Sequence, residues 1–138
     1  MDGLSSYLIA IVVAWVIASL VKVIIDYIKK KKISKKTVFS TGGMPSAHTA
    51  PVVALTTVIA LSDGVGSVLF AISALFSTIV IVDALQVRRA VGEQGKAIND
   101  LLPKKAERPY FARGHKPIEV FIGALIGVAV GIITYYIM

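Results

Sequence analysis

Cysteine is absent from the 138-residue chain, which excludes disulfide bridges and thiolate metal sites and leaves the redox compartment undetermined. Charge is scarce as well: 17% of residues are Asp, Glu, Lys or Arg, and the 8 acids are outnumbered by 15 bases. With 56% hydrophobic residues and a mean hydropathy of +0.79, this balance lies outside that of a water-soluble domain of the same length. Only two histidines occur, and no internal repeat or low-complexity tract stands out beyond the lysines. The surplus of base, a formal +7, does not point to nucleic acid, because the basic segments are short, flank apolar stretches and are poor in interleaved aromatics.

What the chain does have is long apolar runs. Residues 4–21 carry no charge, and the apolar character continues to about Ile28 around Lys22 and Asp26. A bilayer core takes roughly 20 such residues, so this segment spans. No basic residue precedes it and no small-residue cleavage signature follows, so it reads as a retained anchor rather than a removed signal. Further spans are expected over residues 45–61, which is short and contains Pro51, over 67 to about 87, and over 117–138. The expected fold is therefore all-α and polytopic, four transmembrane helices bundled in a single domain, 1–138. Ser62-Asp63-Gly64-Val65-Gly66 has the composition of a tight turn between the second and third spans.

Fourteen of the 15 basic residues fall in two segments, six lysines within 29–36 and eight Lys or Arg within 88–116. The positive-inside rule places both segments in the cytoplasm of a multi-pass cell-membrane protein, with the termini and the Asp63 turn outside. Charges that hold a substrate phosphate would give the same asymmetry. Most of the lysine run is expected to touch anionic lipid.

Three constellations carry chemistry. Gly42-Gly43-Met44-Pro45-Ser46-Ala47-His48 combines glycine backbone able to form an anion cradle, a hydroxyl on Ser46, and a proline that suits the first helical position. His48 is expected one turn into that helix, facing a bound anion. Asp83 to Arg88 and Arg89 puts a carboxylate about one turn inside the membrane with two arginines beyond it; an acid there needs a partner, and arginine's planar fork suits phosphate. The last constellation is Arg113-Gly114-His115-Lys116-Pro117-Ile118-Glu119. Its glutamate, four residues after the histidine, can orient the imidazole for proton transfer or attack on phosphorus, or can cap its own helix. Both histidines, both helix-start prolines and nearly all the basic charge fall on one face of one small bundle.

Gly-Gly-Met-Pro-Ser-Ala-His together with His115-Lys-Pro-Ile-Glu-Val-Phe-Ile-Gly-Ala resembles the type 2 phosphatidic acid phosphatase superfamily, which includes the vanadium-dependent haloperoxidases. The likeness is to its short, divergent membrane branch, and Asp83-Ala84 through Arg88-Arg89, with Gly92, Gln94 and Asn99, is similar to that branch in particular. The resemblance implies a metal-independent membrane phosphatase with no cofactor that acts on a lipid phosphate through a phosphohistidine. It assigns His48 as general acid, His115 as nucleophile and Glu119 as the acid that orients it. Asp83 and Gln94 are expected to support the site.

The pattern departs from the superfamily in three places. No Arg-Pro follows the lysine run, Pro109 stands where a second arginine belongs, and glutamate replaces aspartate. Arg88, Arg89 and Arg113 remain to complete the phosphate clamp with Gly42, Gly43 and Ser46. A non-catalytic binder or transporter of phosphorylated lipid is the alternative that these departures favour. Typical members also have more than four spans, which leaves room for two chains to complete one bundle. Gly123, Gly127 and Gly131 offer a close-packing stripe, either for a second copy or within the chain.

Overall fold

A row of small side chains at four-residue steps, Ala10, Ala14 and Ala18, gives the first helix one flat face, and all three are fully buried. The computed structural model describes residues 3–29, 43–103 and 114–138. The lysine run beyond Lys29, Gly42 and Arg113 lie outside those residues. Among the described residues every regular element is helical: α1 (Gly3–Ile28), α2 (Thr49–Ser62), α3 (Val68–Val82), α4 (Arg88–Leu101) and α5 (Pro117–Ile137). A single π-helical turn, Asp83–Val87, joins α3 to α4 without a break.

Among the described residues three stretches are long and apolar enough to cross a membrane: Ser6–Ile28, Val68–Leu101 and Pro117–Ile137. The 14-residue α2 is the shorter apolar helix of the bundle. At 1.5 Å per residue it extends about 21 Å, less than a hydrocarbon core of about 30 Å. The result is a polytopic α-helical membrane bundle.

α2 sits at its centre, packed against α1, α3 and α5, while α1 also touches α5. In lipid the association of helices gains little from apolar burial, so close backbone approach and buried hydrogen bonds carry it. The alanine row of α1 meets Ala50, Ala54 and Val58 of α2. On the other side of α2 lies the glycine stripe of α5. A Cβ at Gly127 would stand 2.5 Å from the Ala50 carbonyl oxygen, one at Gly123 2.8 Å from that of Ser46, and one at Gly131 2.6 Å from Thr57 Cβ. The stripe is thus consumed inside the chain. A dimer surface through Gly123, Gly127 and Gly131 is not open, because α2 fills it.

Hydroxyls tie α2 to α3. Thr56 Oγ1 donates to the Val52 carbonyl at 2.9 Å and lies 2.9 Å from Ser77 Oγ, which itself donates to Val52 at 3.1 Å. The α2–α3 turn forms where the glycines predict it, with Gly64 at φ 82° and Ser67 Oγ capping α3 by accepting the Phe70 N–H. Tyr7 closes that end of the bundle by donating to Asp63 Oδ2 at 2.6 Å.

Two expectations change. Pro45 does not open the second helix: it is buried in the preceding loop, and regular helix starts at Thr49. The third helix does not stop near Val87 either, because 88–101 continues as helix instead of opening a loop. Ala, Gln, Glu, Lys and Arg, all strong helix formers, supply half of its 14 residues.

Candidate functional site

Ser46 organises the entrance to α2. Its Oγ accepts from the Thr49 N–H at 3.3 Å and from Thr49 Oγ1 at 2.9 Å, which starts the helix and leaves His48 at the N-cap, just ahead of the first turn. The Ser46 N–H donates to the Glu119 carbonyl at 3.0 Å, so the loop before α2 is tied to the first turn of α5. The first and third sequence motifs are joined by that bond.

The second motif is shaped by the π turn. The Arg88 N–H reaches back five residues to the Asp83 carbonyl, so residue 88 stands over residue 83, where an α-helix would put residue 87. Arg88 Nε meets Asp83 Oδ2 at 2.5 Å. In the same turn the Ala84 carbonyl accepts the His115 N–H at 3.1 Å. Gly114 makes this crossing possible, since a Cβ there would run into the Arg89 backbone.

The third motif begins α5 with Pro117 at the first helical position, as its sequence predicts. Glu119 has both of the roles left open for it. Its Oε2 accepts from the Lys116 N–H at 3.0 Å, capping the helix, and lies 3.3 Å from His115 Nδ1.

These elements enclose a cavity of about 230 Å³ lined by His48, Ile79, Val80, Asp83, Ala84, Arg88 and His115. One end is ionic and hydrogen-bonding. The other is an aliphatic wall from α3, so the space is amphiphilic.

His115 is buried, and that burial lowers its pKa below the ordinary histidine value; the hydrogen bond and charge of Glu119 and the Gly43 backbone pull upward, while Lys22 adds to the lowering. His48 stands open at the mouth. Even so, loss of water around its ring is the first cause that lowers its pKa, followed by the positive charges of Arg88, His115 and Lys22, with Asp83 opposing them. Both rings are accordingly neutral near pH 7, and beside His48 positive charge outweighs negative.

Not every expected residue reaches this cavity. Gly43, at φ 93°, approaches the His115 ring through its backbone. Ser46 is fully buried, with its oxygen engaged at the helix start rather than turned to the cavity. Of the two arginines, Arg88 lines the cavity, whereas Arg89 is exposed and paired with Glu93 at 3.1 Å. Arg89 borders a wider, more open depression of about 610 Å³ with Gly114, His115, Lys116, Pro117 and Ile118. Gln94 is exposed on α4 and lines neither space. Among the described residues no three His, Cys, Asp or Glu side chains group as a metal site would require.

Lys22 is the residue that sequence reasoning passed over. It extends the buried row of α1, Ala10-Ala14-Ala18-Lys22-Asp26, and its Cε lies 3.3 Å from where a Cβ of Gly43 would stand. A charged residue in register with an alanine stripe was the available signal, since ionisable groups inside a span usually face the bundle interior.

Comparison with known proteins agrees with this architecture. The chain is 40% identical over 147 aligned positions to the uncharacterized membrane protein YuiD of Bacillus subtilis, an alignment that covers 94% of the chain and 93% of that protein. No solved structure matches it. The profile of the divergent PAP2 family matches residues 4–130, nearly the full length and all three motifs, and the chain belongs to that family.

Proposed function

We propose that the protein is a lipid phosphatase of the cell membrane, with its basic face cytoplasmic, which hydrolyses a phosphomonoester or diphosphate headgroup through a phosphohistidine. The observation that carries this reading is that His48 and His115 line one cavity with Arg88, between an ionic end and an aliphatic wall. A phosphorylated lipid has the same division into charged head and apolar tail.

In this scheme Glu119 holds the Nδ1 proton of His115, which leaves the Nε2 lone pair to attack phosphorus. The P–O bond to the lipid breaks as the N–P bond forms, and the leaving oxygen takes its proton from His48. Water then cleaves the N–P bond, releasing inorganic phosphate and restoring His115. His48 is neutral in the empty site, and the negative charge of an arriving phosphate offsets that of Arg88 and Lys22, so substrate binding itself favours its protonation. Proton transfer of this kind contributes about 100- to 10,000-fold. Arg88 stabilises the charge that builds on the equatorial oxygens.

The alternative, a non-catalytic binder or carrier of lipid phosphate, is favoured by the missing Arg-Pro after the lysine run and by Pro109 in place of an arginine. Turnover separates the two. Purified protein is offered phosphatidic acid, phosphatidylglycerophosphate and a polyprenyl diphosphate with and without vanadate. An enzyme releases phosphate from at least one of them and is inhibited, and His115→Ala abolishes the release. Binding without release from any of the three, or undiminished release by His115→Ala, counts against the catalytic reading.

A further inference from the structure

The helix that carries Asp83 and Arg88 is longer than a bilayer requires. Val68–Leu101 is one continuous stretch of 34 residues, about 51 Å at 1.5 Å per residue against a hydrocarbon core of about 30 Å. α4 therefore extends beyond the lipid tails. No α4 residue is buried, and among the described elements its substantial packing is with the π turn that it continues.

Even so, one face of α4 is apolar. Val87, Val91, Gln94, Ile98 and Leu101 follow steps of four, three, four and three residues, the a/d spacing of a coiled-coil seam. The four aliphatic members are 54%, 43%, 54% and 86% exposed. Ala90, Gly95 and Ala97 border the seam with small side chains, while Arg89, Glu93, Lys96 and Asp100 fall on the opposite face. The row continues into the membrane: Val68, Ile72, Leu75, Ile79 and Val82 of α3 repeat the same steps and are also exposed. The five-residue step from Val82 to Val87 matches the extra residue of the π turn, which keeps both halves on one side.

We propose that two copies of this chain pair in parallel along this row, with the α4 segment as the seam outside the bilayer. Within α3 the row can rest against lipid, but past Val87 an apolar stripe needs a protein surface. Copies inserted with one topology meet in parallel, which sets Gln94 opposite its counterpart, where two amides can hydrogen-bond and fix the register. No charged residue then lies in the seam, so like charges do not oppose pairing. Two heptads are too few for a free peptide to associate, but co-residence in a membrane raises the effective concentration of the partner. This dimer is separate from the glycine stripe of α5 and does not depend on the phosphatase reading.

The natural lack of cysteine permits a direct test. Single cysteines are introduced into the full-length protein at Gln94→Cys and Ile98→Cys on the seam and at Glu93→Cys and Lys96→Cys on the opposite face, and membranes are treated with a mild oxidant. The expected result is a disulfide-linked species of twice the chain mass at 94 and 98, and its loss at 93 and 96. A second set adds Val91→Glu to Gln94→Cys, which removes the cross-link while α-helical circular dichroism is retained. Absent cross-links at 94 and 98, whether because lipid or another segment of the chain covers the row, overturn the proposal. So do equal yields at all four positions.

Discussion

Replacing Gly127 by alanine tests the packing that positions the site. Alanine is normally the better helix residue by about 0.5–1 kcal/mol. Here its Cβ would stand 2.5 Å from the Ala50 carbonyl oxygen and 2.8 Å from Val53 Cβ, whereas ordinary contact begins at 3.4 Å. The obstruction is backbone, which no rotamer change can clear, so α2 and α5 must separate by about 0.9 Å at this level. Overpacking of that kind costs about 1–3 kcal/mol, leaving a net loss of about 1 kcal/mol at mid-range, and at most about 2.5 kcal/mol, after the helix-propensity gain. Sodium dodecyl sulfate titration of the protein in maltoside micelles, followed by circular dichroism, measures the change. Gly66→Ala, with nothing within 4 Å of its new methyl, serves as control and should shift stability by less than about 0.5 kcal/mol. A Gly127→Ala protein as stable as the parent would refute the claim that the glycine stripe is filled by α2.

Other predictions concern the cavity. Glu119 raises the pKa of His115, so Glu119→Gln should move the His115 titration further below the ordinary value of 6.5; carbon-13 resonances of labelled histidine follow this without relying on activity, and an upward move contradicts the assigned hydrogen bond. Arg88→Ala should weaken vanadate inhibition by about 10- to 100-fold, the worth of a lost charge-assisted hydrogen bond, with Arg88→Lys recovering only part because the planar fork is gone. Unchanged inhibition in Arg88→Ala removes Arg88 from the clamp. Lys22→Met should raise the His48 pKa, since Lys22 contributes to its lowering, and the same histidine resonances follow it.

The parts of the fold that were legible rest on long-range composition. Apolar runs of about 20 residues marked the spans, Asp63-Gly64 marked the turn, and Pro117 with Glu119 marked the start of α5, because each is a local requirement written in local residue types. The π turn was not legible. Its extra residue has no compositional signature, yet it decides that Arg88 rather than Arg89 faces Asp83. The same local view put the start of α2 at Pro45, when Ser46 holds the cap with its own hydroxyl. Lys22 was hidden for a different reason: in a span it reads as an interruption, and only the register with Ala10, Ala14 and Ala18 shows that it faces inward. The amphipathic row of α4 was obscured by its charges, which marked the segment as a basic loop.

In the proposed mechanism His115 takes the phosphoryl group with His48 across the same cavity. Its most direct measurement is a rapid acid-free quench of the protein with a radiolabelled lipid phosphate, followed by peptide mapping of the label under conditions that preserve phosphohistidine. Label is expected on the peptide containing His115, more of it in His48→Ala wherever water attack is slowed more than transfer, and none in His115→Ala. Steady phosphate release with no label at residue 115, or label that persists when His115 is replaced, would contradict it.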